Sequence, residues 1–355
     1  MTTAPVFILG GYQTDFARNW SREGKGLLEL LADAAEGAFI AAQVKPEQVE
    51  VAHVGNFVSD LFTGQAHLGG LLAEAVPGLR GLPISRHEAA CASGSMAVLA
   101  AMADLESGRY DIACVVGVEL MRNVPGDESA RHLAAAAWVG HEAQDARYCW
   151  PHMFNNLSAD YAQRYGLDYR HLGRIAEINY ANARVNPLSQ TRQWAFGADS
   201  FKADDTANPV IDGWVRRNDC GQVTDGDACI ILANAQGLQK LGAARAQYQN
   251  VARIKGWGHR TVRMGYADKI ADAKSDGYLF PHVRQTICDA LQRADIQDVF
   301  SLDAIETHDC FAITEYMAID HFGITAPGQA WRAVEEGWIE KTGKLPVNPS
   351  GGLIG

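Results

Sequence analysis

The sequence lacks the features of several common protein classes. No stretch approaches the ~20 consecutive apolar residues that a membrane-spanning helix needs, and the N-terminus has neither the basic start nor the apolar segment of a secretory leader. Basic side chains are outnumbered, with 31 Lys and Arg against 42 Asp and Glu and a formal net charge of −11. The first of these absences predicts that the chain has no membrane span. We also expect no nucleic-acid partner, because a surface with net negative charge repels phosphate on average.

The seven cysteines have no C-x-x-C pair among them, and an odd number cannot pair completely. This pattern disfavours both a disulfide scaffold and a zinc ribbon. It predicts a reducing, cytoplasmic setting without a metal site, in which single thiols are available for chemistry.

The chain is long enough for a large core. Its 355 residues are 47% hydrophobic and 21% charged, which is typical of globular proteins and argues against disorder. At about 150 residues per domain, the length predicts two domains, or one domain that has been duplicated.

Apolar runs and helical spacings alternate along the first 120 residues. The pattern predicts strands at 6–11, 51–57 and 112–118, a helix over 26–43 and another that begins near Ser93. Because a strand, a helix and a strand follow one another, we expect a parallel sheet covered by helices.

The next hundred residues differ in composition and in their predicted elements, and they predict an inserted lobe. Four tryptophans and two helices, at 158–165 and 171–183, occupy this region without a central strand. The strand pattern resumes at 229–233, and a second series follows that can be overlaid on the first: strand 251–257, helix 283–294, strand 303–307, helix 312–322 and loop 345–352. This weak internal duplication predicts two related halves.

Cys91 and His308 are the residues best placed for chemistry. Cys91 precedes the helix that begins near Ser93, so the N-terminal dipole and free N–H groups of that helix should lower the pKa of the thiol. His308 follows the strand predicted at 303–307, at the sheet edge where α/β active sites gather. The alternatives are a buried structural cysteine and a structural histidine.

Four ordered motifs resemble those of the thiolases, and of the sterol-carrier-protein-type branch in particular. They are A-C-A-S-G at 90–94, D-C followed by T-D-G-D-A at 219–228, T-H-D-C-F-A at 307–312 and N-P-S-G-G at 348–352. The resemblance implies an α/β fold of duplicated βαβαβαββ halves that form a five-layered core. It implies an N-terminal half at 1–120 plus 222–245, an inserted loop domain at 121–221, and a C-terminal half at 246–355.

The resemblance also implies a role for each site residue. Cys91 would take an acyl group from acyl-CoA, its own N–H would help to hold the thioester oxyanion, and His308 would donate to the enolate oxyanion. Gly351 and Gly352 would contact substrate, and Cys310 would pack under the site. The coenzyme A thioester would be a substrate, and no cofactor would be bound covalently. The residues that bind coenzyme A are expected at 121–217.

Further expectations concern the assembly and the end of the chain. Thiolases form dimers or tetramers, and some members of this branch bind a small OB-fold protein, so we expect a homo-oligomer and allow for such a partner. Thiolases continue into G-H-P and C-x-G segments that are absent from this sequence, so we expect the second half to be incomplete at Gly355.

Two alternatives to a thiolase-type enzyme are considered. One is a non-catalytic thiolase-like scaffold or partner subunit. The other is a decarboxylating ketosynthase, which is disfavoured because His308 does not lie in an H-x-x-G-T context.

Overall fold

The computed structural model describes residues 4–242 and 251–355. The chain forms two compact units. The first comprises Met1–His132 and Val223–Lys255, and the second comprises Leu133–Gln222 and Gly256–Gly355. The half boundary predicted between residues 245 and 246 lies outside the described residues, and the predicted halves and loop domain stay a prediction.

Eight strands lie in the described parts of the chain and are numbered in chain order. They are β1 (Val6–Gln13), β2 (Val51–Gly55), β3 (Ile84–His87), β4 (Ile112–Glu119), β5 (Val210–Asp212), β6 (Val215–Arg216), β7 (Gly226–Ala233) and β8 (Ala252–Ile254).

Twelve α-helices lie in the same described ranges, and none of them is both long and apolar enough to cross a bilayer. They are α1 (Leu27–Ala42), α2 (Ser59–Thr63), α3 (Leu68–Ala75), α4 (Ser93–Glu106), α5 (Gly126–Leu133), α6 (Cys149–Tyr165), α7 (Tyr169–Val185), α8 (Ala235–Lys240), α9 (Tyr266–Asp272), α10 (Pro281–Arg293), α11 (Ala312–Phe322) and α12 (Ala330–Glu335).

The first unit is built on one six-stranded sheet in the order β3-β2-β4-β7-β1-β8. The strands β3, β2 and β4 are parallel, as expected, but β4-β7, β7-β1 and β1-β8 are antiparallel. The sheet is therefore mixed and not wholly parallel. The chain passes through the second unit between β4 and β7, so no single βαβ crossover constrains β7 to run parallel to β4.

Alternate residues of the strands contact different helices. On one face, Val116 and Val118 of β4 pack in a core with α1 residues such as Leu30 and Leu31. On the other face, Ala113 and Val115 pack with Ala97, Ala101 and other residues of α4. Side chains alternate along a strand, so Gly117 and Glu119 lie on the α4 face.

The lack of a side chain at Gly55 allows α4 to begin close to the end of β2. A Cβ atom on Gly55 would lie 2.6 Å from Gly94 Cα and 2.7 Å from Ser93 O. Gly55 pairs with His87 of β3 and with Gly117 of β4. The first turn of α4 is thus held at the carboxyl ends of three parallel strands.

The turn before β7 is fixed by the carboxylate of Asp225. This buried side chain accepts hydrogen bonds from three backbone N–H groups: Trp20 at 3.1 Å, Met121 at 2.9 Å and Arg122 at 2.8 Å. The Asp225 side chain therefore joins three separate segments of the first unit.

The second unit is mainly helical. Its core joins α6, α7, α11 and α12 through residues that include Tyr161, Ile175, Tyr316 and Val334. In residues 133–222 and 256–355, all of which are described, β5 and β6 are the only named strands. The predicted strand at 303–307 is instead an extended segment with a single parallel bridge, between Ile305 and Val347.

We predict that Asp225→Ala strongly destabilises the first unit. The change leaves three N–H groups without their acceptor, and an unsatisfied buried donor costs about 1–3 kcal/mol. We expect the free energy of unfolding to fall by about 3 kcal/mol or more, measured by urea denaturation. Glu36→Ala, which removes an exposed carboxylate from α1 of the same unit, is the control, and an equal effect of both variants would contradict the prediction.

Candidate active site

Cys91 lies in a short 3-10 turn, Ala90–Ala92, that leads directly into α4. The residue is exposed, whereas Cys114 and Cys229 are buried in the sheet. Its position contradicts the alternative of a buried structural cysteine.

The backbone before Cys91 is held in an uncommon conformation. Ala90 has φ of +50°, in the left-handed region that a non-glycine residue enters at a cost of about 1–3 kcal/mol. The Ser93 hydroxyl stabilises this turn, because Oγ accepts from Ala89 N at 2.9 Å and donates to Ala90 O at 2.6 Å. The side chain of Glu88 accepts from Ala90 N at 2.5 Å. Such strain at a sharp turn is common at functional sites.

The predicted lowering of the Cys91 pKa is wrong. Desolvation by surrounding protein atoms raises the pKa of the thiol and outweighs the hydrogen bond from the Cys91 N–H, which lowers it. The negative charge of Glu119 raises it further. The thiol therefore needs a proton acceptor before it can act as a nucleophile at neutral pH.

His308 is an exposed residue of the second unit, on the extended segment before α11. Desolvation lowers the pKa of its imidazole below the ordinary value of about 6.5. The ring is then neutral at pH 7, with one N–H available as a donor.

The residue after His308 anchors this segment. Asp309 is fully buried, and its carboxyl group accepts from Asn179 Nδ2 at 2.9 Å and from Leu353 N at 2.5 Å. The contacts join the H-D-C-F segment both to α7 and to the loop after the N-P-S-G-G motif. Asp309 thereby fixes the backbone that carries His308.

A second buried carboxyl group completes the network. Glu315 of α11 accepts from Asn179 Nδ2 at 2.6 Å and from Asn348 Nδ2 at 2.8 Å. Asn348 also accepts from Thr307 N at 2.8 Å. Desolvation raises the pKa of both Asp309 and Glu315, and the charge of Asp309 raises that of Glu315 further.

Gly351 and Gly352 serve the packing of this loop. Both have positive φ, of +111° and +63°. A Cβ atom on Gly351 would lie 2.7 Å from Ala183 Cβ, and one on Gly352 would lie 2.3 Å from Asp309 Oδ2. A side chain at Gly352 would displace the Asp309 carboxyl group. Cys310 packs against the core of the second unit, in agreement with its predicted role.

Comparison with known protein families decides the assignment. Residues 6–193 match the thiolase N-terminal domain, and residues 268–355 match the thiolase C-terminal domain-like family. The chain belongs to the thiolase family. The resemblance stated from four motifs is thus confirmed, and so is the thiolase-like α/β fold class.

Curated relatives of this thiolase are similar over nearly its whole length. The acetyl-CoA acetyltransferase of Methanothermobacter thermautotrophicus is 29% identical over 98% of this chain and 85% of its own. Human sterol carrier protein 2 is 25% identical over 99% of this chain and 62% of its own. At the level of the family, these matches support an acyltransferase.

A solved structure has a similar fold. The structure titled Ltp2-ChsH2(DUF35) aldolase aligns with a TM-score of 0.73 at 20% sequence identity, covering 99% of this thiolase and 85% of that chain. At this identity the match supports the fold alone.

The structure groups only some of the predicted site residues. His308, Gly351 and Gly352 belong to one hydrogen-bonded region of the second unit, whereas Cys91 belongs to the first unit. Sequence reasoning missed Glu119, Asn179 and Glu315. A signal for Glu315 was present, since it lies seven residues after His308 and on the helix that the H-D-C-F motif begins. In the described ranges, no three His, Cys, Asp or Glu side chains form a cluster suited to a metal ion.

We predict that Glu315→Gln makes the stability of the chain less dependent on pH. The folded state holds protons on Asp309 and Glu315 at pH values where the unfolded state, with ordinary carboxyl pKa values near 4, has lost them. The free energy of unfolding therefore falls as pH rises from about 4 through the raised pKa values. Glutamine keeps an acceptor for Asn179 and Asn348 but does not ionise.

The measurement is the thermal unfolding midpoint between about pH 5 and pH 8. We expect the midpoint of Glu315→Gln to fall less over this range than that of the unaltered chain. Glu336→Gln, at an exposed position, should behave like the unaltered chain. Parallel pH dependences for all three proteins would contradict the assignment of a buried, protonated carboxyl pair.

Proposed function

We propose that this thiolase is a CoA-dependent acyltransferase that makes or cleaves β-ketoacyl-CoA through an acyl group on Cys91. The observation that carries the proposal is Cys91, an exposed residue that a strained turn places ahead of α4 within a chain of the thiolase family. The relatives named acetyl-CoA acetyltransferase support the same reaction class.

The first half-reaction transfers an acyl group to sulfur. The Cys91 thiolate attacks the carbonyl carbon of an acyl-CoA, a new S–C bond forms, and the bond to the CoA sulfur breaks. The leaving CoA thiolate takes a proton. The N–H of Cys91 would stabilise the negative charge on the carbonyl oxygen during this step, as such donors do in acyl transfer.

The second half-reaction forms the carbon–carbon bond. A second acyl-CoA gives up an α-proton to a base, and its enolate carbon attacks the carbonyl carbon of the Cys91 thioester, so that a C–C bond forms and the bond to sulfur breaks. Neutral His308 would donate its N–H to the enolate oxygen, and the network around Asp309 would hold the backbone of His308 in place. Cleavage of a β-ketoacyl-CoA is the same sequence in reverse.

A cavity in the inserted region is the proposed place for part of the coenzyme A. It has a volume of about 450 Å³, within the usual range for ligand sites. Tyr169, Trp214 and Arg216 line it, and the Arg216 guanidinium lies 5.2 Å from the Tyr169 ring centre. Such a lining suits a purine ring with nearby phosphates.

We predict that Cys91→Ser abolishes the acyl-enzyme. On incubation with acetyl-CoA, the unaltered chain should gain the mass of one acetyl group, located by peptide mass spectrometry on Cys91. The variant should gain none. Cys288→Ser, which removes another exposed thiol, should acylate normally. Acetylation that persists in Cys91→Ser would remove this sulfur from the mechanism, and an unaltered chain that never acylates would favour the non-catalytic alternative.

We predict that Trp214→Ala weakens substrate binding with little effect on kcat. Stacking of a base on an aromatic ring is worth about 1–3 kcal/mol, so KM for acetyl-CoA should rise roughly tenfold, which corresponds to about 1.4 kcal/mol. Steady-state kinetics measure the change, and Trp331→Ala, at an exposed site on α12, is the control. An unchanged KM would exclude the cavity as a coenzyme A site.

A further inference from the structure

A second anchor for His308 lies on the opposite side of this residue from Asp309. The mechanism above uses the Asp309 carboxyl group, which accepts from Asn179 Nδ2 at 2.9 Å and holds the backbone after His308. Before His308, Thr307 N donates to Asn348 Oδ1 at 2.8 Å. His308 is an exposed residue between two anchored neighbours, so its place depends on both contacts.

Asn348 joins the extended segment before α11 to α11 itself and to α7. Its amide group accepts from Thr307 N and donates to Glu315 Oε2 of α11 at 2.8 Å. Its backbone N donates to Ile305 O at 2.8 Å, and its backbone carbonyl accepts from Asn182 Nδ2 of α7 at 3.0 Å. Every polar group of this fully buried residue thus has a partner.

The contacts close into a ring that starts and ends beside His308. Glu315 Oε2 accepts from Asn348 and also from Asn179 Nδ2, at 2.6 Å. Asn179 Nδ2 donates in turn to Asp309 Oδ2. A path of buried hydrogen bonds therefore runs from the residue before His308 to the residue after it, and the Asn348 amide is its first member.

Asparagine suits position 348 for two reasons. Asn348 has φ of +48°, in the left-handed region that asparagine enters more readily than most other non-glycine residues. An amide also accepts through one atom and donates through another, whereas an aspartate carboxylate of the same shape only accepts. The side chain can therefore bind a backbone N–H and a carboxyl oxygen at the same time.

We propose that Asn348 is a positioning residue for the second half-reaction, because its amide fixes the segment from which His308 donates to the enolate oxygen. Asn348 acts through the backbone of Thr307 and does not itself touch the substrate. The inference rests on the proposed function, in which His308 holds that oxygen. Acylation of Cys91, which belongs to the first unit, does not use His308, so loss of the amide should affect only the carbon–carbon step.

The first test compares Asn348→Gly with Asn186→Ala. Glycine keeps the left-handed backbone and removes the amide. Asn186 is a matched control, because its side chain donates to the same loop, at Ser350 O (3.0 Å), but lies outside the ring. For condensation of two acetyl-CoA molecules, kcat of Asn348→Gly should fall about 100-fold, since a misplacement of about 1 Å costs this much. The KM and the rate of Cys91 acetylation, followed by peptide mass spectrometry, should change little.

A second readout needs no acyl-CoA. Diethyl pyrocarbonate modifies neutral imidazole, so the pH dependence of its reaction with the His308 peptide, followed by mass spectrometry, reports the pKa of this ring. Desolvation lowers that pKa in the unaltered chain, and it should rise toward the ordinary value of about 6.5 when Asn348→Gly frees the segment. Asn186→Ala should keep the unaltered profile. His321, which is buried in the same unit, should stay unreactive as long as the unit is folded.

Asn348→Asp serves as a second variant of the same shape. It keeps an acceptor for Thr307 N but loses the donor to Glu315, so kcat should again fall while Cys91 acetylation persists. If His321 becomes reactive together with His308 in both Asn348 variants, the amide stabilises the whole unit, which overturns the proposal.

The remaining outcomes separate this inference from the proposed function. Normal acetylation of Cys91 with the same kcat in Asn348→Gly as in Asn186→Ala keeps the acyltransferase and overturns the role of Asn348. An unaltered chain that takes no acetyl group, but in which Asn348→Gly shifts the His308 profile, supports Asn348 as the anchor of His308 and removes the acyltransferase.

Discussion

The close approach of the Gly55 backbone to Ser93 and Gly94 determines where Cys91 of this thiolase lies. The first turn of α4 can approach the end of β2 only because Gly55 has no side chain, since a Cβ atom there would meet main-chain atoms of Ser93 and Gly94 that cannot move aside. This approach places the turn with Cys91 at the carboxyl ends of three parallel strands.

Desolvation is the shared electrostatic influence in both candidate regions. It raises the pKa values of Cys91, Glu119, Asp309 and Glu315 and lowers that of His308. Each shift favours the neutral form, because a low-polarity environment penalises charge. The regions thus hold few permanent charges.

The sequence predicts those features that depend on local spacing and fails where a distant contact decides. The start of α4 at Ser93 and the bounds of α11 follow from helical periodicity and agree with the structure. The sign of the Cys91 pKa shift depends on atoms from other segments, and no spacing rule contains that information. The same holds for Asn179, which is 130 residues from Asp309 in the chain but donates to it.

The sheet itself illustrates a further limit of local patterns. Apolar runs identified β1, β2, β4 and β7, but the direction of β7 depends on the path of the chain through the second unit. Short extended segments such as 303–307 have the composition of a strand and yet form one bridge. A strand needs a neighbour over several residues, and composition cannot supply that neighbour.

The pairing of β1 also affects how the first unit can be made in a cell. Both neighbours of β1 in the sheet, β7 and β8, come from the far end of the unit, and the hydrogen-bonded residues Thr14 and Asp227 are 213 positions apart. At about 5–20 residues per second, a ribosome needs roughly 10–40 s to supply β7 after β1 has emerged. During that interval the apolar strand β1 has no strand to pair with. The nascent chain is therefore most exposed to aggregation and to chaperone capture before β7 has been synthesised.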